Sequence, residues 1–215
     1  MTYLQLVNNV LKRLRERTVS TVGETSYSTL ISMLINDAKQ EVEQAWDWSA
    51  LRTTLSASTT SGIFNYELNG FKNNGKMLDV VNDTSNFFMR YETATKFNNY
   101  FLNATPATGE PRYYSFNGVS DDGDTLVDVY PIPDGVYALR FNAVVRQADL
   151  SADTDEILCP SKPVELLAYA KAVEERGEDG GTASISAYNT ANRALNDALS
   201  LDQAKHPEEL IWTAP

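Results

Sequence analysis

Histidine and cysteine, which often serve as bases, nucleophiles or metal ligands, are almost absent from this chain. There is one histidine, His206, near the end of the sequence, and one cysteine, Cys159, just before a predicted helix. A Ser-His-Asp triad would have to use His206, which falls in a predicted tail. A helix N-terminus could stabilise the thiolate of Cys159, but no base is close to it in the sequence. We therefore expect no catalytic residue and a buried, structural role for Cys159.

Three short motifs invite a binding role, and each has a simpler explanation. Asp121-Asp122-Gly123-Asp124 carries carboxylates that calcium prefers, but it lacks the distal glutamate of an EF-hand loop, so a solvated turn is expected. Glu178-Asp179-Gly180-Gly181 is typical of a flexible loop between helices. Trp46-Asp47-Trp48 could form a carbohydrate platform, yet tryptophans at the end of an amphipathic helix more often close a core. We predict no metal and no cofactor.

Apolar residues recur at helical spacing near both ends of the chain. The spacing predicts helices over residues 2–17, 26–50, 161–176 and 184–205, with Ser161 as the expected N-cap of the third. Alanines in the last helix allow another helix to approach closely. The apolar stripes expected to face the core are Leu4, Val7, Leu11 and Leu14; then Tyr27, Ile31, Leu34, Ala38, Val42 and Ala45; and, in the last helix, Ile185, Tyr188, Leu195 and Leu199.

The middle of the chain has the pattern of short strands and turns. Turn signals such as Asn69-Gly70 separate the strand candidates, and residues 92–101 could form a short helix. The clearest strand is residues 137–146, where apolar and polar side chains alternate. Short strands at this spacing indicate a small sandwich or barrel.

The predicted fold class is therefore α+β, with a discontinuous domain. Residues 1–52 and 158–205 are expected to form one α-helical bundle. Residues 53–147 are expected to form an antiparallel β-sandwich or barrel-like domain inserted between them.

Charge is unevenly distributed along the chain. There are 18 basic and 29 acidic side chains, which gives a net charge of −11. Residues 1–52 hold six of each sign, whereas residues 148–215 hold five basic and thirteen acidic residues. An acidic protein repels a phosphate backbone, so affinity for nucleic acid is not expected. The surplus of acidic side chains could serve to keep the protein soluble, or it could line an acidic channel along which DNA slides. The charge alone does not separate these two interpretations.

The chain also lacks the usual signals for membranes and secretion. No apolar run approaches the roughly 20 residues that span a bilayer. The first residues lack the apolar core and cleavage site of a signal peptide. A single cysteine forms no intrachain disulfide, which fits a reducing compartment.

The last ten residues, 206–215, are predicted to form a C-terminal tail. Pro207 should end the last helix near Lys205. The C-terminal tail then carries an apolar cluster, Leu210, Ile211 and Trp212. Tails fray unless something holds them, so we predict that this cluster binds a partner; folding back onto its own bundle is the alternative.

Four stretches of this sequence form a recognisable set. They are Tyr3–Glu16; Ile35–Trp48 followed by Leu51-Arg52; Val129–Asp134; and Pro163–Ala170 followed by Gly177-Glu178. Together and in this order, they resemble the head-to-tail adaptor proteins of tailed bacteriophages, the group that includes the tail tubular protein A type.

The resemblance implies a structural protein rather than an enzyme. It implies a ring, expected to be a dodecamer, that lies beneath the portal, joins the capsid to the phage tail and lets DNA pass without specific binding. The implied partners are other copies of the chain, the portal protein and a tail nozzle or tube protein, with no membrane. The implied location is the head–tail interface of the virion, after assembly in the host cytoplasm.

Two groups of residues are predicted to act in such a ring, although the last ten residues match no pattern of these adaptors. The apolar cluster of the C-terminal tail, Leu210, Ile211 and Trp212, would dock on the portal. The candidates to face the DNA channel are Glu174, Glu175, Glu178 and Asp179. Two other functions stay open: a carbohydrate- or peptide-binding module that uses surface aromatics, and another phage head-completion or tail connector protein.

Overall fold

A computed structural model describes residues 1–72, 75–102, 105–177 and 182–205. The chain divides into two compact units, a helical one from residues 1–51 together with residues from 147 onward, and a β-rich one, Arg52–Arg146. The helices are α1 (Tyr3–Arg13), α2 (Ser26–Ala45), α3 (Ala94–Leu102), α4 (Ser161–Arg176) and α5 (Thr182–Gln203); the strands are β1 (Arg52–Ser58), β2 (Asn65–Lys72), β3 (Lys76–Asn82), β4 (Phe87–Phe88), β5 (Arg90–Tyr91), β6 (Tyr113–Val119), β7 (Asp124–Tyr130) and β8 (Ala138–Val144).

Side-chain caps set the starts of the first two helices. The hydroxyl of Thr2 accepts a hydrogen bond from the backbone N–H of Gln5, whose side chain bonds back to Thr2. Thr25 and Ser28 form the same reciprocal pair at the start of α2. Such boxes satisfy backbone donors that the first helical turn leaves without a partner. In contrast, Ser161 is not an N-cap: Pro160 holds that position, without a side-chain cap bond.

The helical unit packs around α4, which contacts α1, α2 and α5. The buried face of α1 consists of Tyr3, Leu6, Val7, Val10 and Leu11. The face that α5 turns toward α4 is made of small residues, chiefly Ala187 and Ala191, as the alanine pattern predicted. Small side chains let two helix backbones approach closely, so packing rather than propensity holds α5 in place.

Some predicted core residues lie outside the core. Leu34 is only half-buried, whereas its neighbour Ile35 is fully buried. Leu4 is also half-buried, and Ile185 of α5 is 64% exposed. The predicted second helix is shorter than expected, because α2 ends at Ala45 and a separate 3-10 turn covers Ser49–Leu51.

A buried ion pair explains why the apolar stripe of α2 gave only part of the buried face, although Ile31, Ala38 and Val42 are buried as predicted. Lys39 and Glu43 lie one turn apart on the buried face, with their charged atoms 3.4 Å apart. The ammonium of Lys39 also donates to the backbone carbonyl of Gln147 at 2.7 Å. Buried charges need such partners, and these hold the chain that returns from the β-rich unit against α2.

The β-rich unit consists of two four-stranded sheets. Their strand orders are β1-β8-β3-β4 and β2-β7-β6-β5. All pairs are antiparallel except β5–β6, which is parallel and two residues long. One cluster of buried residues draws on both sheets: Leu68, Phe71, Val80, Met89, Tyr114, Val127, Val129, Leu139, Phe141 and Ala143. The expected barrel is wrong, because the described strands form two separate sheets and no closed barrel.

Two further observations complete the fold. The predicted short helix in the β-rich unit is present as α3, which packs on β6 through aromatic side chains. No helix within the described residues has the length and the apolar character required to cross a membrane.

Candidate docking surfaces

Of the predicted site residues, the structure describes only two. Leu210, Ile211, Trp212, Glu178 and Asp179 lie outside the described residues. Glu174 and Glu175 are adjacent and exposed near the end of α4.

Glu174 has a structural contact that sequence reasoning did not foresee. It accepts a hydrogen bond from the hydroxyl of Tyr188 on α5. Partial burial, this bond and the nearby carboxylates raise the pKa of Tyr188 to about 12. Glu174 therefore helps to join α4 and α5 whatever else it faces.

The described residues hold no candidate metal site, and the thiol of Cys159 is poorly suited to catalysis. No group of three or more His, Cys, Asp or Glu side chains within them could hold a metal ion. Cys159 is buried, and burial, with the charge of Glu43 adding to it, raises the pKa of its thiol to about 12. A thiol with that pKa is protonated at neutral pH and is a poor nucleophile. His206 lies outside the described residues.

The tryptophans do not form an open binding platform. Trp48 is 1% exposed, and its indole N–H donates to the carbonyl of Val42 at 2.7 Å. The indole N–H of Trp46 donates to Asp202 at 3.2 Å. Both indoles therefore serve internal contacts, as expected for tryptophans that close a core.

The tyrosines of the β-rich unit are also packed against one another. Tyr100 of α3 stacks on Tyr130 with ring centroids 4.3 Å apart and on Tyr113 at 5.7 Å. Stacked rings of this kind stabilise the contact between α3 and its sheet.

Asp202 fixes the end of α5, from which the C-terminal tail departs. Its carboxylate accepts hydrogen bonds from the backbone N–H of Ser49 at 3.0 Å and from Trp46, and it pairs with Lys205 at 3.1 Å. The hydroxyl of Ser49 also donates to it. We call this group the Asp202 clamp, and it joins α5 to the chain that follows α2.

The protonation state of the clamp follows from these contacts. Burial alone would raise the pKa of Asp202, but the hydrogen bonds from Ser49 and the charge of Lys205 outweigh it and lower the pKa to about 2. Hydrogen bonds to the charged form of a carboxyl favour that form. Asp202 is thus ionised throughout the neutral range.

A basic cleft lies where α1 and α4 end and α5 begins. A cavity of about 440 Å³ is lined by Arg13, Leu14, Arg15, Tyr169, Val173, Arg176 and Ala183. A second cavity of about 500 Å³ shares Arg13, Tyr169 and Ala183 and adds Leu166, Thr182, Ser186, Ala187 and Thr190. We call the two together the arginine cleft. It has a cationic end and an end lined by small apolar and hydroxyl side chains.

Two of the three arginines in the cleft are held by the fold. Arg13 pairs with Glu165 of α4 at 2.7 Å, and Asn9 donates to the same carboxylate at 3.1 Å. Arg176 pairs with Glu16, donates to the hydroxyl of Tyr27 at 2.8 Å and lies over that ring, 5.1 Å from its centroid. These arginines therefore tie α1, α2 and α4 together.

Arg15 differs from the other two arginines. It is exposed, and within the described parts of the chain its side chain has no hydrogen-bond or ion-pair partner. Its φ is +59°, a conformation that glycine adopts readily and other residues rarely do. The backbone N–H of Arg15 donates to the carbonyl of Lys12, and the backbone N–H of Glu16 donates to the carbonyl of Leu11. These two bonds are the Schellman arrangement that ends a helix. A long cation thus occupies a position that favours glycine.

Sequence reasoning missed the arginine cleft. The basic residues near the end of α1 are adequately explained by the helix dipole, so they gave no reason to look further. The only available signal was that Arg176 also lies in the last turn of a helix, in the acidic part of the chain.

Comparison with known proteins identifies the family. No curated protein matches the chain. A family model described as SU10 adaptor protein matches residues 1–210, which is nearly the whole length of 215 residues. The chain therefore belongs to the SU10 adaptor protein family.

Proposed function

We propose that this protein is a head-to-tail adaptor of a phage virion, of the tail tubular protein A type. In this proposal, twelve copies form a ring beneath the portal that joins the capsid to the phage tail and lets DNA pass. Its partners are the portal protein and a tail nozzle or tube protein, and it reaches the head–tail interface after assembly in the host cytoplasm. The observation that carries the proposal is the family match over residues 1–210.

The proposed ring needs rigid subunits. We propose that the helices around α4 act as a bundle and the two sheets as a sandwich, each of them a separate domain. The compactness of the two units supports this, as does the buried cluster that the two sheets share. The proposal assigns no catalytic step to either unit.

The channel wall is proposed to be acidic. Glu174, Glu175, Glu178 and Asp179 are the candidate residues to face it, and the net charge of −11 supports a surface that DNA does not bind. We expect the purified protein to show no duplex DNA binding near physiological salt in a mobility-shift or anisotropy assay. Tight binding under those conditions would contradict the acidic wall.

We propose that the C-terminal tail is the arm that binds the portal. Leu210, Ile211 and Trp212 are its apolar anchor. The Asp202 clamp supports this role, because it holds the end of α5 and so fixes the point from which the arm departs. Interface energy is concentrated in a few buried aromatics, so loss of the Trp212 side chain should cost about 2 kcal/mol per contact.

A truncation after Lys205 tests the arm. The shortened protein should keep its circular dichroism spectrum and its melting temperature, while its attachment to DNA-filled heads is abolished. Trp212→Ala should weaken attachment in the same assay, whereas His206→Ala, outside the apolar cluster, should leave it unchanged. The arm hypothesis is wrong if the truncated protein attaches normally, or if it fails to fold.

A further inference from the structure

The arginine cleft is a cationic site in an acidic unit. Residues 1–51 and 147–215 carry ten basic and nineteen acidic side chains. Three of those ten cations line the cleft, Arg13, Arg15 and Arg176, and Lys12 and Arg17 neighbour them in the sequence. A positive electrostatic field at one place on an otherwise acidic surface attracts anionic groups and orients them.

The fold does not use all of this positive charge. Arg13 and Arg176 have carboxylate partners, but within the described residues Lys12, Arg15 and Arg17 have none. Arg15 also keeps a backbone conformation that costs a non-glycine residue about 1–2 kcal/mol. The backbone of Arg15 ends α1, but glycine would do this without strain, so an exposed cation kept at this position points to a function outside the fold.

The composition of the cleft favours a peptide over a nucleic acid. Glu16 and Glu165 partly neutralise Arg176 and Arg13, so the charge left in the cleft suits one or two carboxylates of a peptide better than a phosphodiester backbone, which needs several cations. The adjoining cavity is lined by Leu166, Ala183 and Ala187, which suit an apolar side chain. Tyr169 lines both cavities, and its hydroxyl has no hydrogen-bond partner within the described residues. An acidic peptide with an apolar side chain would suit both the cationic end and the apolar end of the cleft.

The proposed function assigns the chain's own C-terminal tail to the portal. A tail that is bound there does not fill the arginine cleft at the same time. The occupant of the cleft is therefore taken to come from another molecule.

We infer that the arginine cleft is a receptor for an acidic, apolar-anchored segment of the phage-tail protein that joins the adaptor. This inference rests on the proposed function, in which the C-terminal tail binds the portal. The subunit then has an arm at one end of α5 and a receptor at the other. Carboxylates of the segment pair with Arg15, assisted by the field of Arg13 and Arg176, and its apolar side chain enters the adjoining cavity.

Arg15→Glu is the informative variant. Because Arg15 has no partner within the described residues, reversing its charge should leave the fold intact, and glutamate carries a similar backbone cost at this position. Arg193→Glu is the matched control, since it makes the same charge change at an exposed residue of α5 that lines neither cavity. Arg15→Gly removes the charge and relieves the strained backbone together.

The experiment separates attachment to the head from joining of the phage tail. Full-length protein is first added to DNA-filled heads that lack adaptor, and bound protein is measured by sedimentation. Purified phage tails are then added, and tailed particles are counted by electron microscopy. Arg15→Glu should attach to heads as the wild type does, while tail joining falls about tenfold or more, the effect of 1.4 kcal/mol or more at one contact. Arg15→Gly should lose joining too, and Arg193→Glu should retain both steps.

Three results would overturn the inference. Arg15→Glu could join phage tails normally, or it could fail to attach to heads, which would place the cleft on the portal side. A synthetic peptide of residues 206–215 could bind the protein truncated after Lys205 in a manner that depends on Arg15, which would make the occupant the C-terminal tail of this chain, from the same or a second copy. Failure of the proposed function looks different, because wild-type protein would then not attach to heads at all.

Discussion

At the scale of single residues, Arg15 lowers the stability of the fold, while its side chain is proposed to bind a partner. Its left-handed backbone costs about 1–2 kcal/mol, whereas glycine adopts that conformation freely but loses about 0.5–1 kcal/mol to the greater freedom of the unfolded chain. We therefore expect Arg15→Gly to raise the free energy of unfolding by up to about 1 kcal/mol and the melting temperature by about 2–4 °C. Thermal denaturation measures this, with Arg15→Gln as a control that should melt like the wild type. A less stable glycine variant would show that the backbone is not strained.

Asp202 makes stability depend on pH in the acid range. Its pKa falls from 3.8 in the unfolded chain to about 2 in the folded one. A depressed pKa stabilises the fold above pH 3.8, and this contribution is lost as the pH falls through about 2. We expect Asp202→Asn to lower the free energy of unfolding by about 1–2 kcal/mol at neutral pH and to match the wild type near pH 2.

Urea denaturation at a series of pH values checks this dependence. Asp197→Asn is the control, because Asp197 lies on the exposed side of α5 and has no hydrogen-bond or ion-pair partner within the described residues. If the two variants have the same pH dependence, the clamp does not contribute as described.

At the scale of elements, α2 shows both what a hydrophobic pattern predicts and where it fails. The pattern placed the helix and its start correctly, because helical spacing and a Thr25 cap are local properties. It gave the buried face only in part. Ile31, Ala38 and Val42 are buried as predicted, whereas Leu34 is half-buried and Ala45 is exposed. The buried face also carries Ser28, Ser32, Lys39 and Glu43. Partners far along the chain satisfy these polar groups, and no local pattern reveals them.

Two neighbouring residues of α2 that differ in burial allow a direct test of which face is buried. Ile35 is fully buried, whereas Leu34 is half-buried. We expect Ile35→Asp to unfold the helical unit, because an unpaired buried charge costs several kcal/mol, and Leu34→Asp to be tolerated. Circular dichroism and thermal melts of the two variants compare them. The opposite ranking would mean that the apolar stripe predicted from the sequence is the true one.

Strands were easier to find than their partners. Alternation identifies β8, but not its pairing with β1 on one side and β3 on the other. The parallel pair β5–β6 spans only two residues, too few for a periodic signal. The arginine cleft was hidden for the same reason, since it exists only when Arg176 meets residues at the end of α1. Contacts between distant parts of the sequence are set by the fold as a whole.

At the scale of the whole molecule, the β-rich segment leaves and returns at neighbouring points. Arg52 opens β1 and Val144 closes β8, and the two are paired across the antiparallel ladder. Paired residues of such a ladder have Cα atoms only about 5 Å apart. A short flexible linker of about four residues can therefore replace residues 52–146.

We expect the helical unit to fold without the segment that interrupts it. Its buried side chains come from α1, α2, α4 and α5, and its polar ties, Arg13 to Glu165 and Asp202 to Ser49, join residues that all remain after the excision. The excised protein should show a helical circular dichroism spectrum and one cooperative melt. Residues 1–51 alone are the matched control and should be unfolded, because α4, which covers the apolar faces of α1 and α2, is missing. A molten excised protein, or a stably folded monomer of residues 1–51, would show that the two ends do not form one domain.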